Sequence, residues 1–370
     1  MKVLIATDSF KGSLTSYEAG VAISEGITKA CPSASVVVRE VADGGEGTSD
    51  IVTRALNGEV IRIKVTGPLE DNVTASYGIH GNTAIIDISQ ACGLTLVPED
   101  KRNPLYTTTK GVGEMILDAL DRGCRKFIIG LGGSSTNDCG AGMLQALGVR
   151  ITDIHGDPVK NGAAGLSEVC KVDASGIDKR IYGSEFLIAC DVDNPLCGGR
   201  GCSKVFAPQK GADPSDLIKM DVWIGKFADL TDGDPELPGS GAAGGLGFAM
   251  RTFLKGKLVP GAGLVISQTG LNEYMADADI VITGEGCLDN QTPMGKAPSV
   301  IAAMAKSEGL KVIAFAGCVN ADAGSLNSMG IDEAYSISDD VSPEESIQNA
   351  ASLLTRKAYE VFSLLSQSLH

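Results

Sequence analysis

Residues 128–148 read IIGLGGSSTNDCGAGMLQALG, an apolar run, a loop of small polar residues, then an apolar helical pattern. A strand that enters a helix through a glycine-rich loop belongs to α/β architecture, in which strands alternate with crossover helices. The same pattern opens the chain. KVLIA reads as a strand, and Thr15-Ser16-Tyr17-Glu18 has capping-box spacing ahead of a periodic helix that stops before Pro32. VVVREV is the next strand, and DGGEGT leads from it into the helical SDIVTRAL. From Ala276 the pattern returns, with ADIVITGEG, KVIAFAG and EAYSIS as strands and PSVIAAMAKSEG and the C-terminal stretch as helices. Between these ends, IRIKVTGP, TASYGIH and TAIIDIS are short strands split by Gly, Asn and Pro, which predicts antiparallel hairpins. The expected fold class is therefore α/β with two domains. Residues 1–66 and 275–370 form a discontinuous parallel-sheet domain, and residues 67–274 form an inserted mixed α/β domain.

The 370 residues suffice for two such domains, each with its own core. Glycine is abundant, 47 residues without a collagen period, so the glycines build loops. Against 31 Lys and Arg stand 46 Asp and Glu, a net charge of −15, which argues against nucleic acid or an anionic membrane surface as partner. An anionic substrate would need a local cluster of donors working against that field. MKVLIATDSF lacks the basic start and apolar core of a signal peptide, and no apolar run reaches the ~18 residues of a membrane span, so a cytoplasmic protein is expected. The ten cysteines are scattered through apolar runs without a C-x-x-C, and there are only three histidines, His80, His155 and His370. Buried, reduced thiols are expected rather than a zinc site.

The chemistry lies in the loops. In the opening stretch Gly132, Gly133, Ser134, Ser135 and Thr136 offer backbone and hydroxyl donors at the mouth of a helix, a setting for phosphate. Asn137 and Asp138 follow as a pair suited to Mg²⁺ and its water. The stretch lacks the lysine of a Walker A loop; Gly130-x-Gly132-x-x-Ser135 with Asp153 downstream approximates a dinucleotide fingerprint, which keeps an oxidoreductase as the alternative. Asp43-Gly44-Gly45-Glu46-Gly47-Thr48 places two carboxylates between a strand and a helix, and reads equally well as a helix N-terminus with compensating acids. Asp8 and Lys11 follow the first strand, Asp191 follows FLIAC, and Lys210 sits on a turn. Gly239–Gly247, with Gly244 and Gly245, is a second glycine-rich loop; Gly284 and Glu285 end a strand that runs on to Asp289 and Lys296. Any one of these is weak. The set supplies what phosphoryl transfer requires, namely donors for phosphates, carboxylates for Mg²⁺, a cation and an acceptor-side base. No histidine suits a Ser-His-Asp triad.

Taken together, ATDSFKGSLTS, VADGGEGT, GLGGSSTNDCGAG, DVDNPL, APQKGA, GSGAAGGLG and TGEGCLDNQTPMGK run in order from residue 6 to residue 296 and resemble the bacterial type 1 glycerate kinase family. The resemblance implies transfer of the γ-phosphate of ATP to D-glycerate with Mg²⁺, 2-phosphoglycerate being the favoured product. It also implies a flavodoxin-like domain built from both chain ends, an active site in the cleft between domains, and a possible homodimer. In that frame Asp191 orients or deprotonates the acceptor hydroxyl, with Asp43 and Asp8 as rivals. Glu46, Asp138 and Glu285 reach Mg²⁺, and Lys11, Lys210 and Lys296 bind the substrate carboxylate or the transferring phosphoryl group. Gly132 to Asn137, Gly244, Gly245 and Gly284 line the nucleotide. The family often has a basic residue where this chain has Cys287. A kinase for another small hydroxy acid is the nearest alternative.

Overall fold

In the computed structural model, which describes all residues except 11, 43, 46, 290–294, 340 and 369–370, the chain divides into two units. One joins Met1–Asp43 to Ala262–His370, and the other is Gly44–Gly261.

The first unit is built on a five-stranded sheet in the order Glu333–Ser336, Lys311–Val319, Ile280–Leu288, Lys2–Ile5, Ser35–Val38. Every neighbouring pair is parallel. Counted along the chain this is order 2-1-3-4-5, the flavodoxin-like arrangement. Both faces are covered, which explains why the central strands read as continuous apolar runs. Ile23, Ile27, Leu354 and Phe362 pack against one face. Leu271, Ile301 and Ala302 pack against the other. The helix Ser16–Ala30 starts with the expected capping box: Glu18 N donates to Thr15 Oγ1 at 3.2 Å, and Thr15 N donates to Glu18 Oε2 at 2.9 Å.

The second unit carries a six-stranded sheet in the order Lys257–Val259, Glu185–Ala189, Lys126–Gly130, Thr83–Asp87, Asn72–His80, Glu59–Thr66. The last three of these are joined as antiparallel neighbours, and the remaining pairs are parallel. The hairpins expected before residue 90 and the crossovers after it therefore share one sheet. Its core gathers Ile86, Phe127, Ile129, Phe186 and Ile188. Three parallel strands end in register, Asp87 opposite Gly130 and Gly130 opposite Ala189.

The cysteine expectation needs one correction. Cys31, Cys92, Cys124, Cys139 and Cys202 are buried free thiols, but Cys287 and Cys318 form a disulfide. They occupy directly paired positions on neighbouring parallel strands, with Cα atoms 4.6 Å apart, a proximity invisible in a sequence separation of 31.

Helix Ser16–Ala30 crosses the C-terminal helix Ala350–Ser368 at Gly26, where a Cβ would collide with the Thr355 carbonyl and lie 2.8 Å from Ala358 Cβ. Overpacking of this kind costs about 1–3 kcal/mol. Gly26→Val is therefore expected to lower the urea midpoint of unfolding; an unchanged midpoint would show that the two helices can separate without cost.

Candidate functional site

Open α/β sheets bind ligands beyond the carboxyl ends of their strands. In the Gly44–Gly261 unit that edge is formed by Asp87, Gly130 and Ala189. Gly44, and the helix start at Gly47 and Ser49, lie across it. Gly44 has φ +89°, and a Cβ there would stand 2.5 Å from Gly261 Cα and 3.0 Å from Ala189 Cβ, so only glycine fits. Its carbonyl oxygen is 2.8 Å from where a Cβ of Gly130 would be, which explains that glycine too. Asp87, 2% exposed, accepts hydrogen bonds from Gly47 N at 3.0 Å, Ser49 N at 3.1 Å and Ser49 Oγ at 3.1 Å. Burial pushes its carboxyl up to about 7. Asp87 is the site residue the sequence reading missed; the only signal was an acid ending the apolar run TAIID. Asp191 is exposed just past the Glu185–Ala189 strand, and its Oδ1 accepts a hydrogen bond from Gly261 N at 2.7 Å.

The loop that follows Gly130 is sorted by burial. Gly133 is exposed, Gly132 is half-buried, and neither N–H meets an acceptor among the described residues. These two amides, followed by Ser134, suit an anion such as a phosphate oxygen. Deeper residues are engaged within the protein. Ser135 Oγ donates to Cys92 O at 2.9 Å, and Asn137 Nδ2 donates to Ser203 Oγ at 2.9 Å. Asp138 is fully buried and accepts from Thr109 N, Thr109 Oγ1, Gly140 N and Gly142 N at 2.9–3.3 Å. Burial raises its pKa in spite of these donors. The metal role expected for Asp138 does not fit this geometry, because both oxygens face internal donors. The helix expected to receive the loop is also short, Ala141–Ala146, so the loop rather than a long helix supplies the donors.

Lys210 is 2% exposed, and its ammonium donates to Ser134 Oγ at 2.8 Å and to Thr136 O at 2.7 Å. It clamps the glycine loop from below, which places it as a positioning residue rather than one that meets substrate. Gly244 and Gly245, with φ of +67° and +92°, also support this loop from within. A Cβ on Gly244 would collide with the Thr136 carbonyl, and Gly244 O accepts from Cys139 N at 2.9 Å. Their glycine identity thus has a packing reason. Asp153, held out as a ribose ligand, instead organises its own turn, accepting from His155 N at 2.8 Å and Asp157 N at 3.0 Å.

In the other unit, Asp8 N donates to Gly284 O at 2.8 Å across the first and third strands of the 2-1-3-4-5 order, the switch point of such a sheet. Glu285 is 8% exposed and its Oε2 lies 3.5 Å from Lys296 Nζ. Lys11, Asp43 and Glu46 lie outside the described residues. Among the described residues no three His, Cys, Asp or Glu side chains converge as a metal site. Mg²⁺ in kinases is commonly held by one or two carboxylates together with substrate phosphates, and Glu285 fits that sparse requirement.

Burial disfavours the Lys210 ammonium and lowers its pKa from the ordinary 10.5 to about 8. The folded chain then binds this proton less tightly than the unfolded one. The resulting contribution to stability is fully present above pH 10.5 and is lost as pH falls through about 8. Wild type is therefore expected to gain stability relative to Lys210→Met as pH rises from 8 to 10.5, read by urea unfolding; a pH-independent difference would contradict the buried amine.

Comparison with known proteins gives the same direction. The family model described as "Glycerate kinase family" matches residues 3–366. The chain is 44% identical to a glycerate kinase from Halalkalibacterium halodurans, over 97% of each chain. It is 42% identical to the glycerate 2-kinase of Escherichia coli, covering 91% of this chain and 90% of that one. A crystal structure from Salmonella typhimurium LT2 superposes with a TM-score of 0.87 at 40% identity, covering 100% of this chain and 99% of the other. With a family match over nearly its whole length, and an α/β fold shared with a solved relative, this chain belongs to the glycerate kinase family.

Proposed function

We propose that this chain transfers the γ-phosphoryl group of ATP to D-glycerate, with 2-phosphoglycerate as the product. The observation that carries the reading is the pairing of a carboxylate with anion donors on neighbouring strands. Asp191 emerges past Ala189, Gly132 and Gly133 emerge past Gly130, and those two strand ends are directly paired. Asp191 holds or removes the proton of the acceptor hydroxyl, a role that contributes roughly 10²–10⁴-fold to rate. The amides of Gly132 and Gly133, with Ser134 Oγ held in place by Lys210, take phosphate or carboxylate oxygens. Lys296 offsets phosphate charge, and its neighbour Glu285, 3.5 Å away, is a carboxylate suited to Mg²⁺. Mg²⁺, when bound with ATP, neutralises phosphate charge. The substrates are small molecules and the enzyme acts in the cytoplasm, a reading compatible with the finding that no described helix is long and apolar enough to cross a membrane.

ADP release by the purified chain, with ATP and Mg²⁺, is expected with D-glycerate and not with L-glycerate or without acceptor. NMR of the product is expected to place phosphate on carbon 2. Release with other small hydroxy acids but not with glycerate would redirect the substrate assignment. Asp191→Asn keeps an acceptor for Gly261 N and should lower kcat by about 100-fold. A variant within about tenfold of wild type would leave only ~1.4 kcal/mol of barrier to Asp191 and remove it as the base.

A further inference from the structure

We propose that Asp87 is a positioning residue for phosphoryl transfer: it grips Gly47 and Ser49 at the start of the helix Thr48–Ala55 and, through their link to Gly44, sets the place of Asp191. The proposal rests on the kinase reading above. Asp87 is buried, and its donors among the described residues, Gly47 N, Ser49 N and Ser49 Oγ, are all neutral. They belong to a segment about 40 residues away in sequence, so the carboxylate ties one strand end to a loop rather than closing a local turn. The loop is held at its other end by shape. Gly44 is wedged against Ala189 and Gly261, and its carbonyl oxygen lies over Gly130. Gly261 is also the residue whose N–H donates to Asp191 Oδ1 at 2.7 Å. Described contacts therefore run from Asp87 to Gly47 and Ser49, from the adjoining Thr48 N–H to the Gly45 carbonyl at 3.3 Å, from Gly44 across to Gly261, and on to Asp191. Gly130, whose absent Cβ leaves room for both Asp87 Oδ1 and the Gly44 carbonyl, lies beneath them.

A simple cap on the helix Thr48–Ala55 would predict something different. Removing a cap lowers stability and leaves the turnover of each folded molecule unchanged. A positioning residue lowers turnover, because a shift of about 1 Å at reacting groups can cost on the order of 100-fold.

The test uses the full chain with Asp87→Ala, Asp87→Asn and Asp87→Glu, measuring kcat and KM for ATP and D-glycerate, the unfolding midpoint, and amide hydrogen exchange across residues 44–49. Asp87→Ala leaves Gly47 and Ser49 without their acceptor; it is expected to speed exchange there and lower kcat by about 100-fold per folded molecule, with KM nearly unchanged. Asp87→Asn keeps a carbonyl for those N–H groups and is expected to recover most of the rate. Asp87→Glu keeps the charge one methylene further out and is expected to lower kcat by about tenfold, which carries the test if the alanine variant does not fold. Faster exchange in Asp87→Ala with wild-type kcat overturns the proposal, as does unchanged exchange, or a folded Asp87→Glu with wild-type kcat. A wild-type chain that transfers nothing to glycerate overturns the kinase reading and this proposal with it, whereas an active wild type with unaffected variants overturns this proposal alone.

Discussion

Three parallel strands that stop in register at Asp87, Gly130 and Ala189 are the constraint on which the chemistry of the Gly44–Gly261 unit depends. Strands that end level create a ledge, and the segments leaving it must cross one another within van der Waals distance. Glycine at 44 and 130 makes that crossing sterically feasible. Two buried ionisable groups, one acid and one base, then fix the loops, Asp87 beneath one and Lys210 beneath the other. Neither has a salt-bridge partner among the described residues, and each is satisfied by neutral groups. Each loop is thus held by a polar group whose burial is costly, so the hydrogen bonds around it must all be kept.

This arrangement bears on how an acidic chain can handle anions. With a net charge of −15 the overall field repels phosphates and carboxylates. Backbone N–H groups carry no net charge, so a loop such as Gly132–Gly133 can attract an anion by local dipoles without altering that balance. Lys210 contributes at one remove, by shaping the loop, and Lys296 sits beside Glu285.

Much of the fold was legible because it is written locally. Alternating apolar runs and glycine loops at both ends gave the parallel sheet, short strands punctuated by Gly, Asn and Pro gave the hairpins, and Thr15 with Glu18 marked a helix start. The site was legible only as a set of loops. What each side chain does there depends on partners far away in sequence: Asp138 takes its donors partly from Thr109, 29 residues earlier, and Lys210 reaches back 76 residues to Ser134. Asp87 gave almost no signal, since an acid that ends a strand reads as ordinary surface until a loop closes over it. The Cys287–Cys318 bond was hidden for the same reason, being a product of strand pairing rather than of spacing.

The sheet of the discontinuous unit has a consequence for synthesis. Strand Lys2–Ile5 pairs on one side with Ser35–Val38, which leaves the ribosome soon after it. Its other neighbour, Ile280–Leu288, is translated after the whole Gly44–Gly261 segment. Throughout that interval the nascent chain carries an apolar strand with one unpaired edge, while the segment between can complete its own sheet first. Vectorial folding of this protein therefore runs from the middle outward, and strand Lys2–Ile5 is among the last to complete its pairing.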